Sequence, residues 1–101
     1  MELQTLRFFL MVAQEESVKK AAKLLNLTSA HLSYQIKNLE DELEAKLFFR
    51  SDRMFLTPEG ELLRKRAQEI IELADKGLLE YPFFFANEKA WNLLINRDLG
   101  D

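Results

Sequence analysis

The sequence predicts an all-α fold with a small β wing: a winged helix-turn-helix followed by a long linker helix. Three observations carry this expectation. Residues 21–39, AAKLLNLTSAHLSYQIKNL, spell a short helix, a tight turn and a second amphipathic helix. Residues 47–56, LFFRSDRMFL, change to two short apolar runs around Ser51-Asp52. Thr57-Pro58 then opens a long stretch with apolar residues at heptad-like spacing.

Leu3, Leu6, Phe9, Leu10, Val12 and Ala13 recur at helical spacing, so an N-terminal helix is expected to run to about Glu15 and to cover the core side of the motif. Ser17 is placed to cap the next helix, which carries Ala21, Ala22, Leu24 and Leu25. Asn26 stands where a helix closes in a left-handed conformation, which Asn tolerates better than most side chains. Thr28 follows as the N-cap of the second helix, so one helix ends and the next begins within a few residues, as a helix-turn-helix requires. In that second helix, Leu32, Ile36, Leu39 and Leu43 form one buried stripe. The opposite side carries Ser29, Ala30, Ser33, Tyr34 and Lys37, short or amphipathic groups that can approach base edges and phosphates.

Past Leu43, residues 47–50 and 53–56 read as two strands joined by Ser51-Asp52, the expected wing. Thr57 caps the following helix and Pro58 takes its first position, where the missing N–H is harmless. Leu63, Ala67, Ile70, Ala74 and Gly77 are spaced four, three, four and three, a seam widened by Leu62, Ile71 and Leu78. Such a helix wants a partner, most simply its own copy, and a homodimer through Leu63, Ala67, Ile70 and Ala74 is expected. The chain divides into a winged helix-turn-helix at 1–57, a linker and dimerisation helix at 58–80, and a tail at 81–101. In the tail Pro82 is expected to break the helix and Asn87 to cap a last short one bearing Ala90, Trp91, Leu94 and Ile95.

Composition narrows the function. A chain of 101 residues, 48% hydrophobic, has length for one modest core and not for a separate ligand-binding domain. With no Cys and one His, disulfides, cysteine zinc sites and His-cluster metal sites are excluded, and no cofactor is expected. One His, no Cys and no Gly-rich phosphate loop also leave no constellation for an enzyme. Apolar runs such as 47–49 and 81–86 fall far below the roughly 20 residues that span a bilayer, and the N-terminus begins with Glu2 rather than a basic region, so a cytoplasmic protein is expected. The net charge of -3 runs against a DNA-binding role, so the distribution of charge must carry it. Lys19, Lys20, Lys23, Lys37, Arg50 and Arg53 lie on or after the motif, whereas Glu40, Asp41, Glu42 and Glu44 gather at the far end of its second helix.

An extended pattern over most of the chain supports a more specific expectation. Met1, Leu3, Leu6-Arg7, Phe9, Val12-Ala13, Glu15, Ser17, Ala21-Ala22, Leu25, Leu32-Ser33, Gln35-Ile36, Leu39-Glu40, Leu43, Leu47-Phe48, Arg50, Arg53, Leu56-Thr57 and Gly60 make residues 1 to about 76 resemble the N-terminal DNA-binding domain of LysR-type transcriptional regulators. The resemblance implies a dimer that reads double-stranded DNA. By it, Thr28, Ser29, Ala30, Ser33, Tyr34 and Lys37 match base and phosphate contacts on the recognition helix, and Arg50 and Arg53 match contacts at the wing. The chain departs from the pattern at Ser29 and Ala30, where the family commonly has Gln and Pro, and at Tyr34, where it has Arg. Glu16 stands where a Gly is typical, and the wing is one residue short between Arg53 and Leu56. These exchanges imply a different preferred sequence and weaker contacts.

The resemblance also implies that relatives continue into a large inducer-binding domain, for which this chain has no room, so no inducer site is expected in it. A stand-alone regulator, an excised domain with a tail, and a gene whose frame shifted near Gly77 all fit. Several features keep two readings. The three lysines at 19, 20 and 23 are either a solvated face or phosphate contacts, His31 a solvated side chain or a phosphate contact, and Tyr34 a half-buried aromatic or a DNA contact. Phe83, Phe84, Phe85 and Trp91 form either a partner surface or part of the core. For the whole chain, the alternative to a sequence-specific DNA-binding regulator is an interaction module that pairs with full-length relatives and reads DNA poorly.

Overall fold

Four helices and a two-stranded hairpin follow one another in a computed structural model that describes residues 1–77: α1 (Leu3–Glu15), α2 (Val18–Leu25), α3 (Ser29–Leu43), β1 (Phe48–Arg50), β2 (Met54–Leu56) and α4 (Pro58–Asp75). Local chemistry sets most of their ends. The Ser17 hydroxyl accepts from the Lys20 N–H at 3.0 Å, the Thr28 hydroxyl from the His31 N–H at 3.0 Å, and the Thr57 hydroxyl from the Gly60 N–H at 3.0 Å. Pro58 occupies the first turn of α4 as expected.

The other ends are made by three non-glycine residues in the left-handed region, Glu16, Asn26 and Glu44. Asn26 closes α2 as the sequence predicts, with its N–H donating to the Lys23 carbonyl and the Leu27 N–H to the Ala22 carbonyl at 2.9 Å. That pair of bonds is a complete Schellman closure. Glu44 closes α3 in the same way, through Glu44 N–H to Asp41 and Ala45 N–H to Glu40. Nothing in the residue type of Glu16 or Glu44 signals this conformation, which ordinarily costs a side chain about 1–2 kcal/mol.

α1 is the hub of the fold, packing against α2, α3, α4 and β2. It therefore buries more than one stripe: Phe8 joins Leu6, Phe9 and Val12 in the core, although its position falls outside the apolar repeat read from the sequence. Around it pack Ala21 and Ala22 of α2, the expected Leu32, Ile36, Leu39 and Leu43 of α3, Leu47 and Phe48, and Leu63 and Ala67 of α4. The Phe9 and Phe48 rings meet at 5.5 Å with a 53° tilt, a favoured aromatic geometry that fixes the wing base on α1. Leu24, grouped with the apolar side of α2 in the sequence, is instead exposed, because the eight-residue helix offers the core only the face of Ala21, Ala22 and Leu25.

The wing is an antiparallel pair with Phe48 opposite Leu56, Phe49 opposite Phe55 and Arg50 opposite Met54. Each strand is one residue shorter than expected at its first position. Leu47 turns its N–H to the Glu40 carboxylate, and Arg53 sits in the connection with Ser51 and Asp52, its carbonyl accepting from Ser51. At the base, Thr57 donates its hydroxyl to the Lys46 carbonyl and its N–H to the Leu47 carbonyl, so wing and α4 share one anchor.

α4 corrects the sequence reading twice. It ends at Asp75 rather than running to residue 80, because Gly77 takes φ 71° and its N–H reaches back to the Ala74 carbonyl in a tightened last turn. Leu63 and Ala67, expected on a partner-facing seam, are fully buried in the chain's own core. Heptad spacing reports an apolar face without saying what covers it, and here α4 packs against α1. Arg7 of α1 donates to Asp75 at 2.6 Å, pinning the end of α4, and this guanidinium holds the Asp75 carboxyl below its ordinary value. The expected Pro82 break and the short helix after Asn87 lie outside the described residues.

Candidate nucleic-acid interface

The exposed side of α3 gathers most of the residues expected to meet DNA. Its N-cap Thr28, then Ser29, Ala30 and His31 in the first turn, are all exposed, as are Tyr34 and Lys37 one and two turns on. Tyr34 is 57% exposed, which settles its burial against the half-buried alternative. Ser33 is half-buried, flanking the core stripe, so only its outer edge faces solvent. Ala30, Tyr34 and Lys37 follow one another at helical spacing and so share a face.

Electrostatics favour an anion at this place. Between Ser17 and Leu39 the chain has Lys19, Lys20, Lys23 and Lys37 and not one Asp or Glu. All four ammonium groups are exposed, and none has an ion-pair partner among the described residues. The first turn of α3 contains no acidic residue, leaving its N-terminal dipole unopposed.

The carboxylates lie outside this stretch, and several of them are paired. Glu42 holds the Met1 ammonium at 2.8 Å, Asp75 holds Arg7, and Glu61, Glu69 and Glu72 pair within α4 with Arg64, Arg66 and Lys76. Charge counted over the whole chain therefore misrepresents the α2–α3 surface.

The two wing arginines differ from the sequence expectation in being held by carboxylates of this chain. Arg50 donates to Glu40 Oε1 at 2.7 Å. Glu40, with a side chain only 1% exposed, also accepts the Leu47 N–H at 2.8 Å and the Phe48 N–H at 3.4 Å, and so ties α3 to β1. One signal in the sequence pointed there: position 40 lies four residues beyond Ile36, on the apolar stripe, where a carboxylate needs a cationic partner. Arg53 donates to the Glu16 carboxylate and lies 5.4 Å from the centre of the Phe55 ring. The Glu16 carbonyl also accepts the Met54 N–H at 3.0 Å, tying β2 to the end of α1.

On the α4 side, Ile70 and Ala74 are half-buried and Leu73 is 42% exposed, beside a shallow groove lined by Leu10, Ile71, Asp75 and Lys76. Among the described residues no group of His, Asp and Glu is arranged to hold a metal ion, and no helix is long and apolar enough to cross a membrane.

Comparison with known proteins agrees with this geometry. Residues 3–61 match the family model described as bacterial regulatory helix-turn-helix protein, lysR family. The chain is 42% identical over 82 residues to the HTH-type transcriptional regulator BsdA of Bacillus subtilis, covering 79% of this chain and 28% of that protein. It is 43% identical over 79 residues to the regulator BudR of Klebsiella aerogenes, covering 77% of this chain and 55% of BudR. The chain thus spans between about a quarter and about half of these relatives' lengths. Among solved structures, the BenM DNA-binding domain in complex with catB site 1 DNA superposes with a TM-score of 0.74 at 39% identity, covering 77% of this chain and 85% of that one. The CbnR DNA-binding domain in its DNA complex gives 0.73 at 33% identity, covering 76% and 90%. With the family model spanning more than half its length, and with the matching helix-turn-helix, wing and α4 in place, this chain belongs to the LysR family of bacterial helix-turn-helix regulators.

Proposed function

We propose that this chain is the DNA-binding part of a transcriptional regulator in the cytoplasm, reading double-stranded DNA with the exposed face of α3. The observation that carries the proposal is the acid-free stretch of residues 17–39, which presents Ser29, Ala30, Tyr34 and Lys37 beside the lysines of α2. Thr28, Ser29 and Lys37 are suited to phosphate contacts, and Ala30, Ser33 and Tyr34 to base edges and sugars. With no carboxylate between residues 17 and 39, the negative net charge lies away from this face, and a module that reads DNA poorly is not favoured.

A dimer through α4 is part of the same proposal, because two recognition helices are needed to span successive major grooves of a two-part site. Leu63 and Ala67 lie inside the protomer, so the partner would pack on Ile70, Leu73 and Ala74. Titrating the chain's own upstream region by fluorescence anisotropy over a range of salt tests the DNA-binding part. Lys37→Ala is expected to weaken binding to every duplex and to lower the salt slope by about 0.9, the value for one phosphate contact. Tyr34→Ala is expected to alter which base pairs are preferred. Absence of binding even at low salt would end the proposal.

A further inference from the structure

The carboxylates that hold the two wing arginines differ in exposure. Glu40 is enclosed, at 1% side-chain exposure, and surrendering Arg50 would leave a buried carboxylate without its charge partner. Arg50 is therefore the harder of the two to exchange. Glu16 is 35% exposed and Arg53 62%, so both ends of that pair can rehydrate, and an ion pair so exposed is weak. Arg53 can trade one anionic oxygen for another.

The backbone keeps Glu16 at its post. It closes α1 at φ 54°, its N–H donating to the Val12 carbonyl at 2.8 Å and its carbonyl accepting from Met54. A carboxylate is thus mounted on the residue that anchors β2, in a backbone conformation that Gly or Asn would adopt more readily. The Phe55 ring beneath the guanidinium limits where Arg53 can turn.

We infer that Glu16 is an intramolecular competitor for Arg53: its carboxylate occupies the guanidinium in the unbound protein, and a DNA phosphate must displace it. Glu16 thereby sets how strongly the wing grips the DNA backbone. This rests on the DNA-binding reading above. It separates the two arginines, Arg50 holding the wing together and Arg53 gripping phosphate.

The test is a double-substitution cycle on the full chain, binding a fluorescein-labelled mixed-sequence duplex of about 40 base pairs at about 0.05 and 0.15 M NaCl, because phosphate contacts are independent of sequence and sensitive to salt. Glu16→Gln is expected to tighten binding about two- to fivefold when Arg53 is present, the range that loss of one exposed ion pair supplies, and less than about 1.5-fold in the Arg53→Ala background. Glu16→Gly, which also suits the left-handed backbone, is expected to tighten binding alongside Gln and guards against a folding defect in either variant. Equal tightening with and without Arg53 would mean that Glu16 merely repels DNA at long range, and no tightening would mean that it does not compete; either overturns the inference. Binding that ignores Glu16 leaves the DNA-binding reading standing, whereas a wild-type chain that does not bind the duplex overturns that reading itself.

Discussion

Removing the Glu40 carboxylate is expected to unlatch the wing from α3 at a cost of about 2–4 kcal/mol, mainly that of leaving two buried amide donors without their charged acceptor. The Leu47 N–H, bonded at 2.8 Å, loses a charged acceptor in a buried place, worth roughly 1.5–3 kcal/mol. The Phe48 N–H, at 3.4 Å, adds a smaller amount. Arg50 adds little, because its side chain is 44% exposed and rehydrates. Arg50→Ala leaves Glu40 with both amide donors and opens a route for water, so its cost is expected to be about 1–2 kcal/mol. Urea unfolding followed by far-UV circular dichroism, on Glu40→Ala, Arg50→Ala and the double variant, measures the order directly. Against a total stability of about 5–15 kcal/mol for a chain of this length, the difference between the single variants is well resolved. If Arg50→Ala costs as much as Glu40→Ala, or if Glu40→Ala costs less than about 1 kcal/mol, the carboxylate is not the latch that its contacts indicate.

Two further substitutions probe the frame. A Cβ at Gly60 would lie 2.1 Å from the Leu47 carbonyl oxygen and 2.9 Å from a Leu56 methyl, so Gly60→Ala is expected to push α4 off the wing base and cost about 3 kcal/mol or more; an unchanged urea midpoint would show that the two elements do not approach so closely. Glu44 is exposed at φ 52° on the C-terminal end of α3, where a negative charge opposes the helix dipole. Glu44→Gly is expected to stabilise the chain by about 0.5–1 kcal/mol and raise Tm by roughly 2–6 °C, and a lower Tm on thermal denaturation would refute the assignment.

The order of the elements and several of their ends were legible because they rest on interactions a few residues long. Ser17, Thr28 and Thr57 cap the helices that follow them, and Asn26 makes the turn. The α3 stripe from Leu32 to Leu43 is buried as its spacing requires, leaving Tyr34 and Lys37 outside. Family membership was legible for the same reason, since its pattern is mostly these caps and stripes.

Tertiary structure alone decided which groups meet across the chain. An apolar face does not name its partner, so only the packing of α1 against α4 revealed that Leu63 and Ala67 are spent inside the protomer. Phe8 is buried because α1 is enclosed on several sides, which a single-stripe reading cannot represent. Arginines were legible as cations, whereas their commitment to Glu40 and Glu16 depends on residues 10 and 37 positions away. Caps and stripes are set by the helix to which they belong; an ion pair is set by where two distant segments come to rest, and it is there that the sequence by itself falls silent about the wing.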